Sequence, residues 1–396
     1  MDFDRILTPV LEQDLVRKMV LLSGPRQCGK TTLAKSLVKN SNGQYYCWDI
    51  EKDRRVLKQN QMSADTPFWV FDELHKFRQW RNWLKGVYDE HHNDKKILVT
   101  GSARLDLYSR GGDSLQGRYY FHRLHPITFS EFYKIRSQEP FERFTELNTH
   151  QPISSGKEIL DFCKIGGFPE PLIFGSEKQA SRWRLNYAAR LVREEVRGLE
   201  RIQELDKMEL LYERLEHTVG SILSINSLRE DLEVAFTTVK KWIIVFEKLF
   251  GVFRIFPFGV PRLKAVKKEA KLYFWDWGKP TQVAAQFENM IAVHLLRFVH
   301  WMEDVEGERC ELRYFRDVVG HEVDFIVLRK QKPWFVVEAK LNDRPLDPNM
   351  KYFLERVQVP FAYQVSLEGL KDWEPQKING CKIRVLPASR FLANLP

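Results

Sequence analysis

The chain has 396 residues, of which 43% are hydrophobic and 29% are charged, a composition typical of a globular protein of two or three domains. Its net charge of +9 is compatible with a nucleic-acid or phosphate partner, and equally with a basic protein that has none. The five cysteines lack CxxC spacing, which argues against a zinc motif, and no apolar stretch is long enough to span a bilayer. Together with an acidic amino terminus, these features predict a cytoplasmic protein without a membrane partner.

Short apolar runs alternate with amphipathic helical patterns up to about residue 130. The runs read KMVLLSG, QYYCWDI, FWVFDE and KKILVTGS. Strands that alternate with helices predict an α/β fold with a parallel sheet covered on both faces. After the third run, apolar residues from Phe77 to Tyr88 repeat at helical spacing. We interpret that aromatic stripe as core rather than as a ligand site.

The segment GPRQCGKT, residues 24–31, matches the phosphate-binding pattern G-x-x-x-x-G-K-[ST] between a strand-like run and a helical one. Glycines let backbone N–H groups close around phosphate oxygens at a helix N-terminus. We expect Lys30 to contact the β- and γ-phosphates and the Thr31 hydroxyl to bind Mg²⁺. The predicted nucleotide-binding residues are Gly24, Pro25, Arg26, Gln27, Cys28, Gly29, Lys30, Thr31 and Thr32.

The run FWVFDE brings two acids to the end of a buried strand. Asp72 is predicted to hold Mg²⁺ and Glu73 to polarise the attacking water. Two solvated acids at a strand end would explain the motif if it stood alone. The phosphate-binding loop upstream favours the catalytic interpretation.

Two further catalytic candidates follow the next strand. ILVTGSAR ends in the hydroxyls of Thr100 and Ser102, and Ser102 is predicted to sense the γ-phosphate. Arg118 follows a glycine in SLQGR. It acts either on the nucleotide of a neighbouring subunit, which would require a homo-oligomer, or in a local salt bridge, and the sequence leaves both open.

Residues 130–225 lack strand-like runs and are predicted to be helical. Beyond them, a helix capped by Thr238 and the strand-like VFRIFPF follow in the order of a winged helix-turn-helix. Lys240 and Lys241 would meet DNA phosphates if this helix enters a groove. The same module could instead only join the domains on either side.

The C-terminal part places acids and a lysine within strand-like runs. In HEVDFIV, Glu322 and Asp324 share one face of a strand, and in VVEAK, Glu338 and Lys340 do the same. With Glu288 from a helical segment, these form a PD-(D/E)-x-K set, in which Glu288, Asp324 and Glu338 bind Mg²⁺ and Lys340 serves its water. The alternative is a structural cluster in which Lys340 neutralises Glu338 on a fold without activity.

The motif series GPRQCGKT, WVFDE, LVTGSAR, SLQGR and HPITFSEF resembles the prokaryotic AAA-type ATPases that carry a C-terminal domain of uncharacterised function. KIGGFPEPL, TVKKWIIVFEKL, KLYFWDWG, QFENMIAVHLL, YFRDVVGHEVDF and VVEAK extend the resemblance over nearly the whole chain. It implies ATP rather than GTP, in keeping with the lack of an N-K-x-D motif. The implied fold is an AAA-type P-loop sheet, a helical lid with a winged helix, and a small α/β restriction-endonuclease-like domain. The predicted domains are residues 1–145, 146–258 and 259–396, respectively.

These features predict an ATP-hydrolysing protein that acts on DNA and carries a Mg²⁺-dependent nuclease-like end domain. The first alternative is an ATP-driven switch or regulator whose end domain binds a partner without cleavage. A second alternative, a small-molecule P-loop kinase, is disfavoured by the winged-helix pattern and the long C-terminal half. Cleavage of DNA would distinguish the first two, and ATPase activity alone would not.

Overall fold

The computed structural model describes residues 3–101, 115–135, 156–196, 204–259 and 269–396. The chain forms two compact units, one built from Asp2–Ile127 with Lys248–Phe250 and the other from Thr128–Glu247 with Gly251–Pro396. Among the described residues, no helix is long and apolar enough to cross a membrane. We describe the N-terminal and C-terminal units separately.

The N-terminal unit contains a five-stranded parallel sheet with the strand order β2-β3-β4-β1-β5. All five residues of β1 and all five of β3 are buried, because their uninterrupted apolar runs face helices on both sides of the sheet. The four predicted strands are confirmed at the four apolar runs. The elements are α1 (Thr8–Asp14), β1 (Met19–Ser23), α2 (Lys30–Asn40), β2 (Gln44–Cys47), α3 (Glu51–Lys58), β3 (Phe68–Asp72), α4 (Trp80–His91), β4 (Lys96–Thr100) and β5 (Tyr119–Arg123).

The strand order decides which residues meet at the carboxyl edge of this sheet. β4 lies between β1 and β3, with Leu22 paired to Thr100 and Asp72 also paired to Thr100. Ser23, Asp72 and Thr100 therefore end their strands side by side, directly before the segments that the sequence predicts to bind nucleotide. The stripe on α4 is core, because Trp80, Leu84 and Val87 are buried.

The C-terminal unit begins with helices and continues into a second sheet. The helices are α5 (Phe129–Phe132), α6 (Gly156–Ile165), α7 (Pro169–Phe174), α8 (Glu177–Arg190), α9 (Leu205–Arg214), α10 (Ile225–Leu232) and α11 (Phe236–Lys248). α11 begins at Phe236, so the prediction that Thr238 caps this helix is wrong. Thr238 lies within the first turn, next to the buried Val239.

Seven strands form the sheet of this unit, in the order β12-β11-β10-β9-β8-β6-β7. β9 pairs antiparallel with both β8 and β10, and the 22-residue helix α12 packs on β7, β8, β9 and β10. The elements are β6 (Val252–Pro257), β7 (Lys271–Phe274), α12 (Val283–Asp304), β8 (Cys310–Arg316), β9 (Glu322–Arg329), β10 (Lys332–Lys340), α13 (Pro348–Leu354), β11 (Phe361–Ser366), β12 (Lys382–Pro387) and α14 (Ala388–Leu392).

This sheet brings the predicted acidic strands together. Val337 pairs with Phe325 across β10 and β9, so the next residues outward, Glu338 and Asp324, lie on neighbouring strands. The sheet also includes β6, which lies directly before the domain boundary predicted at residue 258. The predicted boundaries at residues 145 and 258 stay predictions.

Candidate functional site

The predicted P-loop connects β1 to α2 at the carboxyl edge of the N-terminal sheet. A side chain at Gly24 would place its Cβ 2.3 Å from the carbonyl oxygen of Leu124, so only glycine fits against that backbone. Gly29, directly before α2, has a φ of 99°, in the left-handed region that favours glycine. The loop therefore returns tightly to the helix N-terminus, the geometry that exposes backbone N–H groups to an anion.

Lys30 is buried at the start of α2, and its ammonium group bonds the loop itself. Nζ donates to the carbonyl oxygens of Gly24 at 2.8 Å and Pro25 at 2.5 Å, and lies 3.9 Å from the sulfur of Cys28. All of these partners are uncharged. Phosphate oxygens would be stronger partners for an ammonium group than carbonyls are, because they carry charge.

Asp72, at the end of β3, accepts hydrogen bonds from three hydroxyl groups. Thr31 donates to Oδ2 at 2.9 Å, Tyr45 of β2 also donates to Oδ2, and Thr100 of β4 donates to Oδ1. Burial and the Asp72 carboxylate raise the pKa of Tyr45 well above its usual range, so its phenol stays protonated and donating. A hydroxyl and a carboxylate held side by side are hard oxygen ligands of the kind that Mg²⁺ takes.

Glu73 follows in the left-handed conformation, with a φ of 56°. One of its carboxylate oxygens lies 3.1 Å from Nζ of Lys76, which also pairs with Asp49 at 2.5 Å. Burial raises the pKa of Glu73, and the neighbouring Lys76 partly opposes that rise. A buried carboxylate with a raised pKa is a stronger base than an exposed one, as a general base for water requires.

Ser102 and Arg118 are the other two catalytic candidates of the N-terminal unit. Ser102 lies outside the described residues. Arg118 precedes β5 and forms a bidentate ion pair with Asp89 of α4, at 2.7 and 3.1 Å. Because Tyr119 pairs with Met19 at the beginning of β1, Arg118 lies at the edge of the sheet opposite the P-loop. It is therefore remote from the nucleotide site of its own chain.

Arg5 is a buried residue of the N-terminal unit that sequence reasoning missed. Its guanidinium donates to the carbonyl oxygens of Cys28 in the P-loop and His125 after β5, at 2.9 and 2.5 Å. These two hydrogen bonds connect the P-loop to the segment after β5. Its only sequence signal is an arginine among the apolar residues before α1, which is too common a pattern to be diagnostic.

The predicted C-terminal residues do meet in space. The backbone N–H of Asp324 donates to Glu338 at 3.2 Å, and the N–H of Ala339 donates back to Asp324 at 3.0 Å. Burial and their mutual proximity raise the pKa of Glu338 well above its usual range. Burial and the charge of Glu288 raise the pKa of Asp324. The two carboxyl groups thus share a buried site. Two negative charges this close repel each other, and the repulsion favours a state in which one carboxyl group keeps its proton.

Lys340 pairs within the same cluster. Its Nζ lies 2.7 Å from Glu338 and 2.8 Å from Asp347, the residue that caps α13. Burial lowers the pKa of Lys340, but the two carboxylates raise it further, so the side chain stays charged. The predicted shared face of Glu338 and Lys340 is confirmed, and Asp347 is a partner that the sequence did not indicate.

Lys271 of β7, which the sequence analysis did not select, lies among the remaining acids. Its Nζ is 2.5 Å from Glu322, 3.2 Å from Glu288 and 3.7 Å from Asp324. Burial lowers the pKa of Lys271, and the three carboxylates raise it more, to a value above the usual range. The available signal was a charged residue opening the otherwise apolar strand KLYF.

Across the described ranges, no group of three or more His, Cys, Asp or Glu side chains is arranged to hold a metal ion. The predicted metal ligands Glu288, Asp324 and Glu338 lie near one another, but lysine ammonium groups lie between or beside them. Their assignment as metal ligands, and that of Lys340 as a catalytic residue, stay predictions.

Comparison with protein-family models divides the chain into three matches. Residues 16–133 match an AAA domain, residues 156–284 match a domain of unknown function (DUF8612) and residues 284–389 match another domain of unknown function (DUF4143). The match to an AAA domain agrees with the parallel strand order and the P-loop geometry of the N-terminal unit. Neither of the other two matches carries a described activity.

Curated relatives are uncharacterised proteins. One from Methanocaldococcus jannaschii is 25% identical over 292 residues, covering 65% of this chain and 60% of the relative. One from Mycobacterium tuberculosis is 22% identical over 263 residues, covering 66% of this chain and 54% of the relative. The matched regions thus span between half and two thirds of these relatives' lengths.

Solved structures match this chain at low similarity. The ORC1 protein of Aeropyrum pernix, solved in complex with DNA, has a TM-score of 0.34 and 14% identity, covering 74% of this chain and 91% of that chain. Hsp104 of S. cerevisiae, solved as an ADP complex, has a TM-score of 0.30 and 13% identity, covering 62% of this chain and 38% of that chain.

Proposed function

We propose that the protein binds and hydrolyses ATP with Mg²⁺ as cofactor. The observation that supports this most is the Asp72 carboxylate, buried beside the P-loop and bonded by the hydroxyls of Thr31, Tyr45 and Thr100. When bound, Mg²⁺ supplies positive charge that offsets the charge of the phosphates. Thr31 and Asp72 would hold the ion, and Lys30 would exchange its loop carbonyls for phosphate oxygens. Glu73 would accept a proton from the attacking water.

Nucleotide binding by Lys30 variants tests this assignment. Lys30→Ala should abolish binding of a fluorescent ATP analogue, because it removes the cation that the loop directs at the phosphates. Lys39→Ala is the matched control, since it removes an exposed lysine from the same helix, α2. Equal affinity of the Lys30 variant and the control would contradict the proposal.

We infer that DNA is the partner on which the ATPase acts. The net charge of +9 supports this, as does the order of α9, α10, α11 and the β6–β7 hairpin, which matches that of a winged helix. An isolated bridge between Ile222 and Lys271 adds the short strand that such a module has between its first two helices. On this reading, Lys240 and Lys241 of α11 meet the phosphate backbone.

Salt-dependent binding to labelled duplex DNA tests the DNA assignment. Affinity should fall steeply with salt, because each phosphate contact releases counterions. Lys240→Glu with Lys241→Glu should weaken binding and reduce the salt slope. Lys178→Glu with Arg182→Glu reverses the same charge on the exposed surface of α8 and serves as the control. Equal effects of the two double variants would place the DNA contact elsewhere.

For the C-terminal domain we propose a role in binding rather than in cleavage. The supporting observation is that Lys271 and Lys340 already neutralise the carboxylates that a nuclease would use to hold Mg²⁺. The protein would then be an ATP-driven switch whose end domain holds DNA or a protein partner. ATP hydrolysis would change that hold without any covalent change in the partner.

Metal-dependent DNA cleavage is the second candidate for this domain. The observation in its favour is that Asp324, Glu338 and Lys340 lie together on β9 and β10, joined by backbone hydrogen bonds. Incubation of linear, forked and four-way DNA with Mg²⁺ or Mn²⁺, with and without ATP, separates the two candidates. Cleavage that is lost in both Asp324→Ala and Lys340→Ala would establish the nuclease. Intact DNA in every condition supports the binding role.

A further inference from the structure

Three carboxylates from two different elements surround the ammonium group of Lys271. Glu288 comes from α12, and Glu322 and Asp324 come from alternate positions of β9. Their oxygens lie between 2.5 and 3.7 Å from Nζ, and the lysine is only 1% exposed to solvent. One buried cation thus lies among three acids, the position that a bound metal ion takes in a carboxylate site.

Regular secondary structure and direct hydrogen bonds hold this group in place. Tyr273 lies two residues after Lys271, on the same face of β7, and its hydroxyl donates to Glu288 at 2.7 Å. On the other side of Glu288, a Cβ at Gly220 would lie 2.8 Å from the carboxylate, so glycine leaves room for the acid. Lys271 is therefore a buried residue of the cluster and not a surface side chain that happens to reach it.

We propose that Lys271 takes the place of a divalent metal ion in this cluster, so that the C-terminal domain has no metal requirement of its own. Lys271 forms a close ion pair with Glu322 at 2.5 Å and longer ones with Glu288 at 3.2 Å and Asp324 at 3.7 Å, so its ammonium group already compensates the charge that a divalent ion would compensate. The proposal deepens the proposed function and rests on the binding role of the end domain.

Other cationic side chains also pair with the acids of this region. Glu322 also pairs with Arg316 at 3.0 Å, and Glu338 pairs with Lys340 at 2.7 Å. Every acid that the sequence assigned to metal binding in this domain thus has a cation of the chain within reach. A divalent ion would therefore have to displace the ammonium group of Lys271 from this cluster.

Removing the ammonium group should convert the cluster into a divalent-metal site. The experiment measures Mn²⁺ binding by electron paramagnetic resonance on nucleotide-free full-length protein carrying Asp72→Asn, so that the ATP site does not contribute. In this background the parent should bind no ion tightly, and Lys271→Met should bind one, with an affinity at least roughly tenfold higher. Mn²⁺ should also raise the melting temperature of the Lys271 variant and leave that of the parent unchanged.

Lys279→Met is the matched control, because Lys279 is a largely buried lysine of the same unit that pairs with Glu216 at 2.7 Å outside the cluster. It should gain no Mn²⁺ site. If Lys271→Met does not fold, the double variant Lys271→Met with Glu322→Gln replaces it. This variant removes the same cation together with one acid, and it should gain the same Mn²⁺ site. Absence of a site in the folded variant, or binding in the parent that Asp324→Asn abolishes, would overturn the proposal. DNA cleavage by the wild type would instead overturn the binding role, so the two failures are distinguishable.

Discussion

The proposed ATP site and the C-terminal cluster each bury a lysine near carboxylates, but the direct partners of the charged groups differ. Lys30 and Asp72 bond neutral groups, namely carbonyls, hydroxyls and a backbone N–H. In the C-terminal unit, Lys271 forms ion pairs with three carboxylates and Lys340 forms ion pairs with two. In the first arrangement the direct hydrogen-bond partners of both charged groups are uncharged, and in the second the charged groups pair with each other.

This difference distinguishes a site prepared for charged ligands from a cluster that is complete by itself. A buried charge with only neutral partners costs free energy unless an external charge compensates it. A protein retains such an arrangement where a ligand supplies that charge, as Mg²⁺ and the nucleotide phosphates would at Asp72 and Lys30. A buried group with its own counter-charges has no such need.

The largest effect is expected for the general base of the ATP site. Glu73→Gln should keep ATP binding and reduce hydrolysis by about 10²–10⁴-fold, because an amide cannot accept the proton of water. Steady-state ATPase rates and analogue binding measure the two properties. Glu51→Gln, an exposed change on α3, should leave both unchanged. Normal turnover by the Glu73 variant would mean that another residue is the base.

The two buried lysines should differ in what they contribute to folding. Lys271→Met removes the cation that three carboxylates share and should lower the free energy of unfolding by about 3–5 kcal/mol. Lys30→Met removes hydrogen bonds from a charged donor to two carbonyls and should cost less, about 1.5–3 kcal/mol. Urea unfolding followed by circular dichroism measures both. Equal losses would contradict the difference between the sites.

The next prediction concerns whether Arg118 acts on the nucleotide of a neighbouring subunit. If it acts on a neighbour's nucleotide, ATPase activity per chain should rise with protein concentration, and Arg118→Ala should flatten that rise by about tenfold or more without weakening ATP binding. Asp89→Asn removes the ion-pair partner of Arg118 and leaves the arginine in place. The Asp89 variant should keep the rise of ATPase activity with protein concentration. Identical losses in both variants would assign Arg118 to the salt bridge alone.

A smaller effect concerns the pH dependence of hydrolysis. Burial raises the pKa of Glu73, and the charge of Lys76 holds it lower than burial alone would. Since the ionised carboxylate is the active form, ATPase activity should fall as pH falls through this raised pKa. Lys76→Met removes the opposing charge, so the acidic limb of the profile should move upward by roughly one pH unit. A downward shift would contradict the assignment of Glu73.

Much of the N-terminal unit could be predicted because its signals are local. The apolar runs of β1 and β3 are buried on both faces, and the residues from Gly24 to Thr31 are contiguous. The start of α11 was misplaced at Thr238 because a threonine suits both a cap and a first turn. For such residues, packing of the following apolar face decides where the helix begins.

Partners that come from distant parts of the chain could not be predicted. Tyr45 reaches Asp72 across neighbouring strands, and Lys271 reaches Asp324 over more than fifty residues of sequence. Nothing within KLYF indicates which acids its lysine will meet, because the sheet order decides that. The predicted nuclease set therefore contains the acids and Lys340 but not Lys271.

Counting Mn²⁺ ions on the wild-type protein tests the central comparison most directly. Equilibrium dialysis with a non-hydrolysable ATP analogue, and without it, gives the number of ions retained by each chain. The account predicts one Mn²⁺ ion for each chain with the analogue, bound at the proposed ATP site. It predicts none without the analogue, because lysines already pair with the acids of the C-terminal cluster. An ion retained without nucleotide, and lost in Asp324→Asn, would contradict this account.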